Sequence, residues 1–108
     1  MPVKRVLLVD DHPIVRRGLR RLIDCEPEIE VCGEAETVRD ARQAIRELNP
    51  DAVVVDISLR DGDGMELVTD LHAHHPKLPV LVLSMHDEAI YAERLLSAGA
   101  RGYIMKQA

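Results

Sequence analysis

The 108-residue sequence contains no phenylalanine and no tryptophan, and its only aromatic side chains are Tyr91 and Tyr103. Any hydrophobic core must therefore be built from aliphatic side chains, which are plentiful because 46% of the residues are hydrophobic. A chain of this length fits one domain with a core of modest size. We expect a single domain over residues 1–108.

Basic residues are also in the minority, at 14 against 19 acidic residues, and the formal net charge is -5. Nucleic acid is therefore not expected to bind this domain, since phosphate backbones are held by basic surfaces. Four arginines do lie close together in one stretch: Arg16, Arg17, Arg20 and Arg21. We interpret them as the solvated face of a helix, with a partner-docking face as the alternative.

The two cysteines, Cys25 and Cys32, have neither metal-ligand nor redox spacing and are too few for a secreted disulfide scaffold. No apolar run approaches the ~18 residues of a membrane span. The first apolar run ends on two carboxylates and has no cleavage site after it, so it indicates a strand and not a signal peptide. We expect a cytoplasmic protein that does not bind membranes.

Short apolar runs rich in β-branched residues alternate with stretches of helical periodicity. Continuous runs of this kind are typical of parallel strands buried on both faces. The second run is flanked by charge, which favours an edge position. The five predicted strands are Val6–Val9, Ile29–Cys32, Val53–Val55, Val80–Leu83 and Gly102–Met105.

Four helices are predicted between these strands. The apolar face of the first contains Val15, Leu19, Leu22 and Ile23. The second begins after Thr37 as the capping residue and ends at Asn49, because Pro50 follows. The third contains Met65, Val68 and Leu71 and ends before Pro76, and the fourth spans about 87–98.

Strict alternation of strand and helix predicts a doubly wound α/β fold with right-handed crossovers. A fifth helix would be expected after the last strand, but the sequence stops at Ala108. We therefore expect a domain shortened before its fifth helix.

Polar side chains stand where four of the strands end. Asp10 and Asp11 follow the first strand, Asp56 the third, Ser84 the fourth and Lys106 the fifth. The carboxyl ends of parallel strands, ~4.8 Å apart, meet at one edge of the sheet, where ligands bind.

These polar groups suit a site that accepts a phosphoryl group. Clustered carboxylates repel one another, and Mg²⁺ removes that cost through hard oxygen ligands. An aspartate beside Mg²⁺ can attack a phosphoryl group, while a lysine and a hydroxyl hold the phosphoryl oxygens. His12 follows the acidic pair and is expected at the rim of the site, where it forms hydrogen bonds without taking part in the chemistry.

With this pattern the chain resembles the response-regulator receiver domains of two-component signalling. The motifs "LLVDDHPIVRRGL", "LSMHDE" and "AGARGYIMK" are most similar to the NarL/FixJ subfamily. The resemblance covers essentially the whole chain and implies a flavodoxin-like, five-stranded sheet of order 2-1-3-4-5. In that subfamily a helix-turn-helix DNA-binding domain usually follows the receiver, and this chain does not contain one.

The resemblance implies a role for each residue at the acidic end of the site. Asp56 would be the phosphorylation site. Asp11 would ligate Mg²⁺ directly, and Asp10 through a water molecule. The main-chain carbonyl of Ser58 would complete the protein's share of the metal ligands.

It also implies the residues that read the phosphoryl group. Lys106 would contact a phosphoryl oxygen, Ser84 would form a hydrogen bond to the phosphoryl group, and the rotamer of Tyr103 would follow Ser84. The changed surface would be the fourth helix and fifth strand. Two positions depart from the family pattern, since Arg60 and Gln107 stand where proline is common.

The implied function is a switch that accepts a phosphoryl group from a histidine kinase and then controls its own DNA-binding domain, with a homodimer as a further possibility. Such a domain catalyses only its own phosphorylation and dephosphorylation and is otherwise not an enzyme. The alternatives are a Mg²⁺-dependent phosphohydrolase with an aspartate nucleophile and a phosphorylation-independent interaction module. A phosphohydrolase of this kind is expected to have an acid two residues after its nucleophile. At that spacing Ser58 follows Asp56 and His12 follows Asp10, and neither is an acid.

Overall fold

The computed structural model describes residues 3–56, 64–84 and 102–105, with the backbone alone for Ser84 and for residues 102–105. Five parallel strands form one sheet in the order β2-β1-β3-β4-β5. The elements run in alternation along the chain as β1 (Lys4–Val9), α1 (Pro13–Asp24), β2 (Ile29–Ala35), α2 (Val38–Leu48), β3 (Ala52–Asp56), α3 (Gly64–His74), β4 (Val80–Ser84) and β5 (Gly102–Met105).

The predicted doubly wound sheet of order 2-1-3-4-5 is thereby confirmed, including the edge position of the second strand. Four strands are longer than predicted, and the fifth has the predicted bounds. The predicted fourth helix lies outside the described residues. No helix in the part of the chain that the structure describes is long and apolar enough to span a membrane.

The main core lies between the sheet and the helices α2 and α3. Its fully buried members among the described residues are all aliphatic, as the absence of phenylalanine and tryptophan predicted. Alternate residues of a strand point to the same face, so every second residue of β1, β3 and β4 joins this core. Its buried members are Leu7, Val9, Ala35, Ala41, Ile45, Val53, Val55, Leu67, Val68, Leu71, Val80 and Val82.

Both ends of α2 follow local signals in the sequence. The Thr37 hydroxyl accepts a hydrogen bond of 3.0 Å from the backbone N–H of Asp40, as the predicted cap requires. At the other end Asn49 takes a left-handed conformation with φ of 47°, and Pro50 follows. The close approach of α2 to β2 needs Gly33, since a Cβ there would lie 2.7 Å from a methyl group of Leu48.

The inward face of α1 differs from the prediction. Val15, Leu19 and Ile23 are half-buried as expected, but Leu22 is 69% exposed. The helix is turned so that Arg16 faces β2 instead, and its side chain is only 14% exposed. The interpretation of all four arginines as a solvated face is therefore wrong for Arg16, which finds acceptors beside the strand.

The two cysteines do not form a disulfide bond with each other, and both are free thiols. Cys25 is exposed, whereas Cys32 is half-buried on β2 and packs against the main core. Burial raises the pKa of the Cys32 thiol, which keeps it protonated at neutral pH. Cys32 accordingly contributes to packing between β2 and the main core.

Candidate functional site

The register of the sheet places Asp10 beside Asp56. Val9 on β1 pairs with Val55 on β3, so the next residue of each strand lies at the same carboxyl edge. The backbone N–H of Asp10 still bonds to the carbonyl of Ala35, at 2.9 Å, which holds Asp10 in line with the sheet. Both aspartates are 1% exposed.

A third carboxylate, that of Asp11, joins this pair and is 12% exposed. We call Asp10, Asp11 and Asp56 the acidic cluster. One ligand atom from each of these residues and one from His12 all lie within 4.8 Å of one another. Two like charges at about this distance repel by about 3–4 kcal/mol at an effective dielectric constant of 20. The predicted convergence of the three aspartates is confirmed, and it produces an arrangement that favours a cation.

His12 lies at the rim of the site, as the sequence predicted, with a side chain that is 54% exposed, and its ring reaches in to the three carboxylates. Its Nδ1 is 2.8 Å from Asp10 Oδ1, 3.1 Å from Asp11 Oδ1 and 3.2 Å from Asp56 Oδ2. The backbone N–H of His12 also donates to Asp10 Oδ1 at 2.8 Å. The position of His12 directly after two aspartates indicated that it lies near the site. The direction of its side chain, however, depends on the turn that leads into α1.

Arg16 supports the site from the outer side of that turn. Its Nη1 donates to the main-chain carbonyl of Asp10 at 2.6 Å. The same guanidinium group pairs with Glu34 at 3.1 Å and Glu36 at 2.9 Å, so it is fixed to β2 and to the loop after it. No local pattern predicts this role, because the partners lie 18 and 20 residues away along the chain.

The acidic cluster fits Mg²⁺ by the chemistry of its donors. Mg²⁺ takes hard oxygen ligands and is usually bound through one or two carboxylates together with waters and phosphate oxygens. Two of the three carboxylates here are almost fully buried, and their mutual repulsion is relieved by a divalent cation. Asp10, Asp11 and Asp56 are thus the described residues that can hold the metal.

The other predicted site residues are only partly described. Asp56 pairs with Leu83, and Ser84 follows at the same edge and pairs with Met105. The backbone therefore places the ends of β3, β4 and β5 side by side, as predicted. The backbone of Tyr103 pairs with Val82, two positions before the pair of Ser84 and Met105.

Two residues proposed for the site, Ser58 and Lys106, lie outside the described residues. The same holds for Arg60 and Gln107, the positions that depart from the family pattern. The roles of these four residues stay predictions.

Comparisons with known proteins agree with this geometry. Residues 6–108 match the family described as response regulator receiver domain. The DNA-binding transcriptional activator DevR/DosR of Mycobacterium tuberculosis is 44% identical over 104 residues, which cover 94% of this chain and 47% of that protein.

Solved structures are similar over nearly the whole chain. A two-component response regulator of the LuxR family from Aurantimonas sp. SI85-9A1 is 38% identical, with a TM-score of 0.91 over 98% of this chain and 76% of that one. The isolated receiver domain of RcsB from Salmonella enterica serovar Typhimurium, solved with the phosphomimetic BeF3-, is 28% identical. Its TM-score is 0.92 over 98% of this chain and 79% of that one. The chain spans about half the length of the curated relatives it matches.

Proposed function

The chain belongs to the response regulator receiver domain family, and from this premise we propose that Asp56 is the residue that accepts the phosphoryl group. Domains of this family are phosphorylation-controlled signalling switches and not metabolic enzymes. The observation that carries the proposal is the position of Asp56, a buried carboxylate at the end of β3 within the acidic cluster.

The chemistry is a phosphoryl transfer between two nucleophiles. A carboxylate oxygen of Asp56 forms a bond to phosphorus while the phosphorus–nitrogen bond of a phosphohistidine breaks, and the released imidazole takes up a proton. The sheet register holds Asp56 in place at the carboxyl edge of the sheet, beside the ends of the neighbouring strands. A nucleophile that is already positioned lowers the barrier, because little orientational entropy is lost when the reaction takes place.

The other residues prepare this site for a dianionic group. Asp11 would hold Mg²⁺ directly together with Asp56, Asp10 would hold it through a water molecule, and the carbonyl of Ser58 would add a main-chain ligand. When bound, Mg²⁺ neutralises the acidic cluster and the negative charge of the phosphoryl oxygens. Lys106 and the hydroxyl of Ser84 bind phosphoryl oxygens, and the Tyr103 ring follows the movement of Ser84.

The partners follow from this chemistry. The donor is a histidine kinase, and the readout is a changed surface over the predicted fourth helix and β5. Several relatives are transcriptional regulators about twice as long as this chain, and DevR/DosR is named as a DNA-binding activator. We therefore propose that the whole protein carries a helix-turn-helix output domain, acts in the cytoplasm, and uses the changed surface to release that domain or to form a homodimer.

An intact acidic cluster favours this switch over the two alternatives. A phosphorylation-independent interaction module would be expected to have lost one of the three aspartates, and all three are in place. The match to the receiver family favours a switch over a phosphohydrolase.

Intact-mass measurement after incubation with acetyl phosphate and Mg²⁺ tests the proposal. The parent chain should gain one phosphoryl group, and Asp56→Asn should gain none. Asp40→Asn, which changes an exposed aspartate of α2, is the matched control and should behave as the parent does. Equal phosphorylation of the parent and of Asp56→Asn would rule out Asp56 as the acceptor.

A further inference from the structure

We propose that the imidazole of His12 takes the place of the cation in the metal-free domain. The ring then occupies the acidic cluster, and it must rotate out before Mg²⁺ binds. The inference rests on the proposed Mg²⁺ site and adds a residue that sets the affinity for the metal. It makes His12 a positioning residue that also covers the phosphoryl acceptor.

The position of a single atom carries the argument. His12 Nδ1 contacts one oxygen of each member of the acidic cluster, at 2.8, 3.1 and 3.2 Å. Ionised carboxylates only accept hydrogen bonds, so a nitrogen among three of them is favourable only if it carries the hydrogen. Nδ1–H is then the donor, and it supplies the positive end of a dipole at the place where the repulsion is greatest.

The ring and the metal compete for the same space. Mg²⁺ lies about 2.0–2.1 Å from its oxygen ligands. A cation held by the same carboxylate oxygens would meet Nδ1, which is within 3.2 Å of each of them. Because the Asp56 oxygen in contact with His12 belongs to the phosphoryl acceptor, the ring also covers the nucleophile.

The ring can leave without disturbing the fold. The His12 side chain is 54% exposed, so one side of it already faces solvent. Its backbone is held on both sides, since His12 N–H donates to Asp10 Oδ1 and the His12 carbonyl accepts from Arg16 N–H at 3.0 Å. Rotation about the side-chain bonds is therefore sufficient, and the carboxylates keep their places.

A different role for His12, that of a direct metal ligand, makes the opposite prediction. Imidazole suits Zn²⁺, Cu²⁺ and Ni²⁺ better than Mg²⁺, which prefers oxygen. If His12 were a ligand, removing it would weaken Mg²⁺ binding. If it is a substitute for the cation, removing it strengthens binding, since no contact has to be broken first.

Titration calorimetry with Mg²⁺ separates these roles. We expect His12→Ala to bind Mg²⁺ about 3- to 10-fold more tightly than the parent chain, where tenfold corresponds to about 1.4 kcal/mol. The control is His72→Ala, which removes an exposed histidine of α3 and should leave the affinity unchanged. Unchanged or weaker binding by His12→Ala would overturn the inference.

A second measurement uses the parent chain alone and does not depend on how the variant folds. In the chain labelled with ¹⁵N-histidine, the Nδ1 resonance of His12 should move as Mg²⁺ is added and saturate at the calorimetric dissociation constant. Binding of Mg²⁺ without any change at His12 would contradict the proposed exchange.

The outcomes also separate this inference from the proposed function. Failure of Mg²⁺ to bind the parent and His12→Ala would refute the metal site and the inference together. Mg²⁺-dependent phosphorylation of Asp56 with no effect of His12 on the affinity would refute the inference alone.

Discussion

Arg16 joins α1 to β2 through a set of contacts that no other arginine of its stretch has among the described residues. Its side chain donates to the Asp10 carbonyl and pairs with Glu34 and Glu36. Exposed ion pairs contribute little, but this guanidinium is mostly buried and satisfies a carbonyl at the edge of the site. Its contribution should therefore exceed that of an ordinary surface arginine.

We expect Arg16→Ala to lower the free energy of unfolding by about 1–2 kcal/mol, because it removes a charge-assisted hydrogen bond and two ion pairs. Arg17→Ala, one residue along the same helix and exposed, should change it by no more than about 0.5 kcal/mol. Urea unfolding followed by circular dichroism measures both. Equal losses for the two variants would show that the contacts of Arg16 contribute nothing to stability.

The acidic cluster was predictable from the sequence, whereas the individual contacts of the His12 ring and of the Arg16 side chain were not. Asp10 and Asp56 come directly after strands whose register fixes them, so the pattern alone places them together. The side chains of His12 and Arg16 are oriented by the turn after β1 and by acceptors on β2. These contacts depend on how separate elements pack in three dimensions, so a local sequence pattern does not predict them.

Helices α3 and α1 differ in how much apolar surface they bury. Leu67, Val68 and Leu71 of α3 are buried in the main core, whereas α1 has no buried residue among those described. The two helices have similar lengths and both contain leucines on one side, so the difference lies in their packing. Stability should therefore depend far more on the leucines of α3 than on the exposed leucine of α1.

Leu67→Ala should lower the free energy of unfolding by about 2–5 kcal/mol, since it removes a fully buried side chain and leaves a cavity. Leu22→Ala, the same substitution at the exposed position of α1, should cost no more than about 0.5 kcal/mol. Denaturant titrations measure the free energy of unfolding of both variants. The two values can be compared directly if the m-values equal that of the parent chain. A large loss for Leu22→Ala would show that its side chain is buried in solution.

The sequence predicted which elements exist better than it predicted how one of them is rotated. Periodicity identified all three described helices, and Thr37 and Asn49 identified both ends of α2. The rotation of α1 could not be predicted in this way, because an amphipathic pattern treats arginine as polar and outward-facing. In the structure Arg16 faces Glu34 and Glu36, while Leu22 is exposed.

Mg²⁺ should stabilise the whole folded domain if it binds the acidic cluster as proposed. A ligand that binds only the folded state adds RT ln(1 + [L]/Kd) to the free energy of unfolding, or about 2.7 kcal/mol at 100 times Kd. We expect Mg²⁺ to give this increment to the parent chain and EDTA to remove it. The same ionic strength of sodium chloride serves as the reference condition.

Loss of one carboxylate should reduce that increment. Asp11→Asn removes a proposed Mg²⁺ ligand, so its unfolding midpoint should respond less to Mg²⁺ than that of the parent. Asp40→Asn carries the same chemical change on the exposed side of α2 and should retain the full response. A full Mg²⁺ increment in Asp11→Asn would exclude Asp11 as a ligand.

The claim on which the account depends most is that Asp56 accepts the phosphoryl group, and chemical trapping tests it directly. After incubation with acetyl phosphate and Mg²⁺, borohydride reduces an aspartyl phosphate to homoserine, and peptide sequencing by mass spectrometry then locates the converted residue. The account predicts homoserine at position 56 alone. Homoserine at position 10 or 11, or phosphorylation of the chain with Asp56 unconverted, would contradict it.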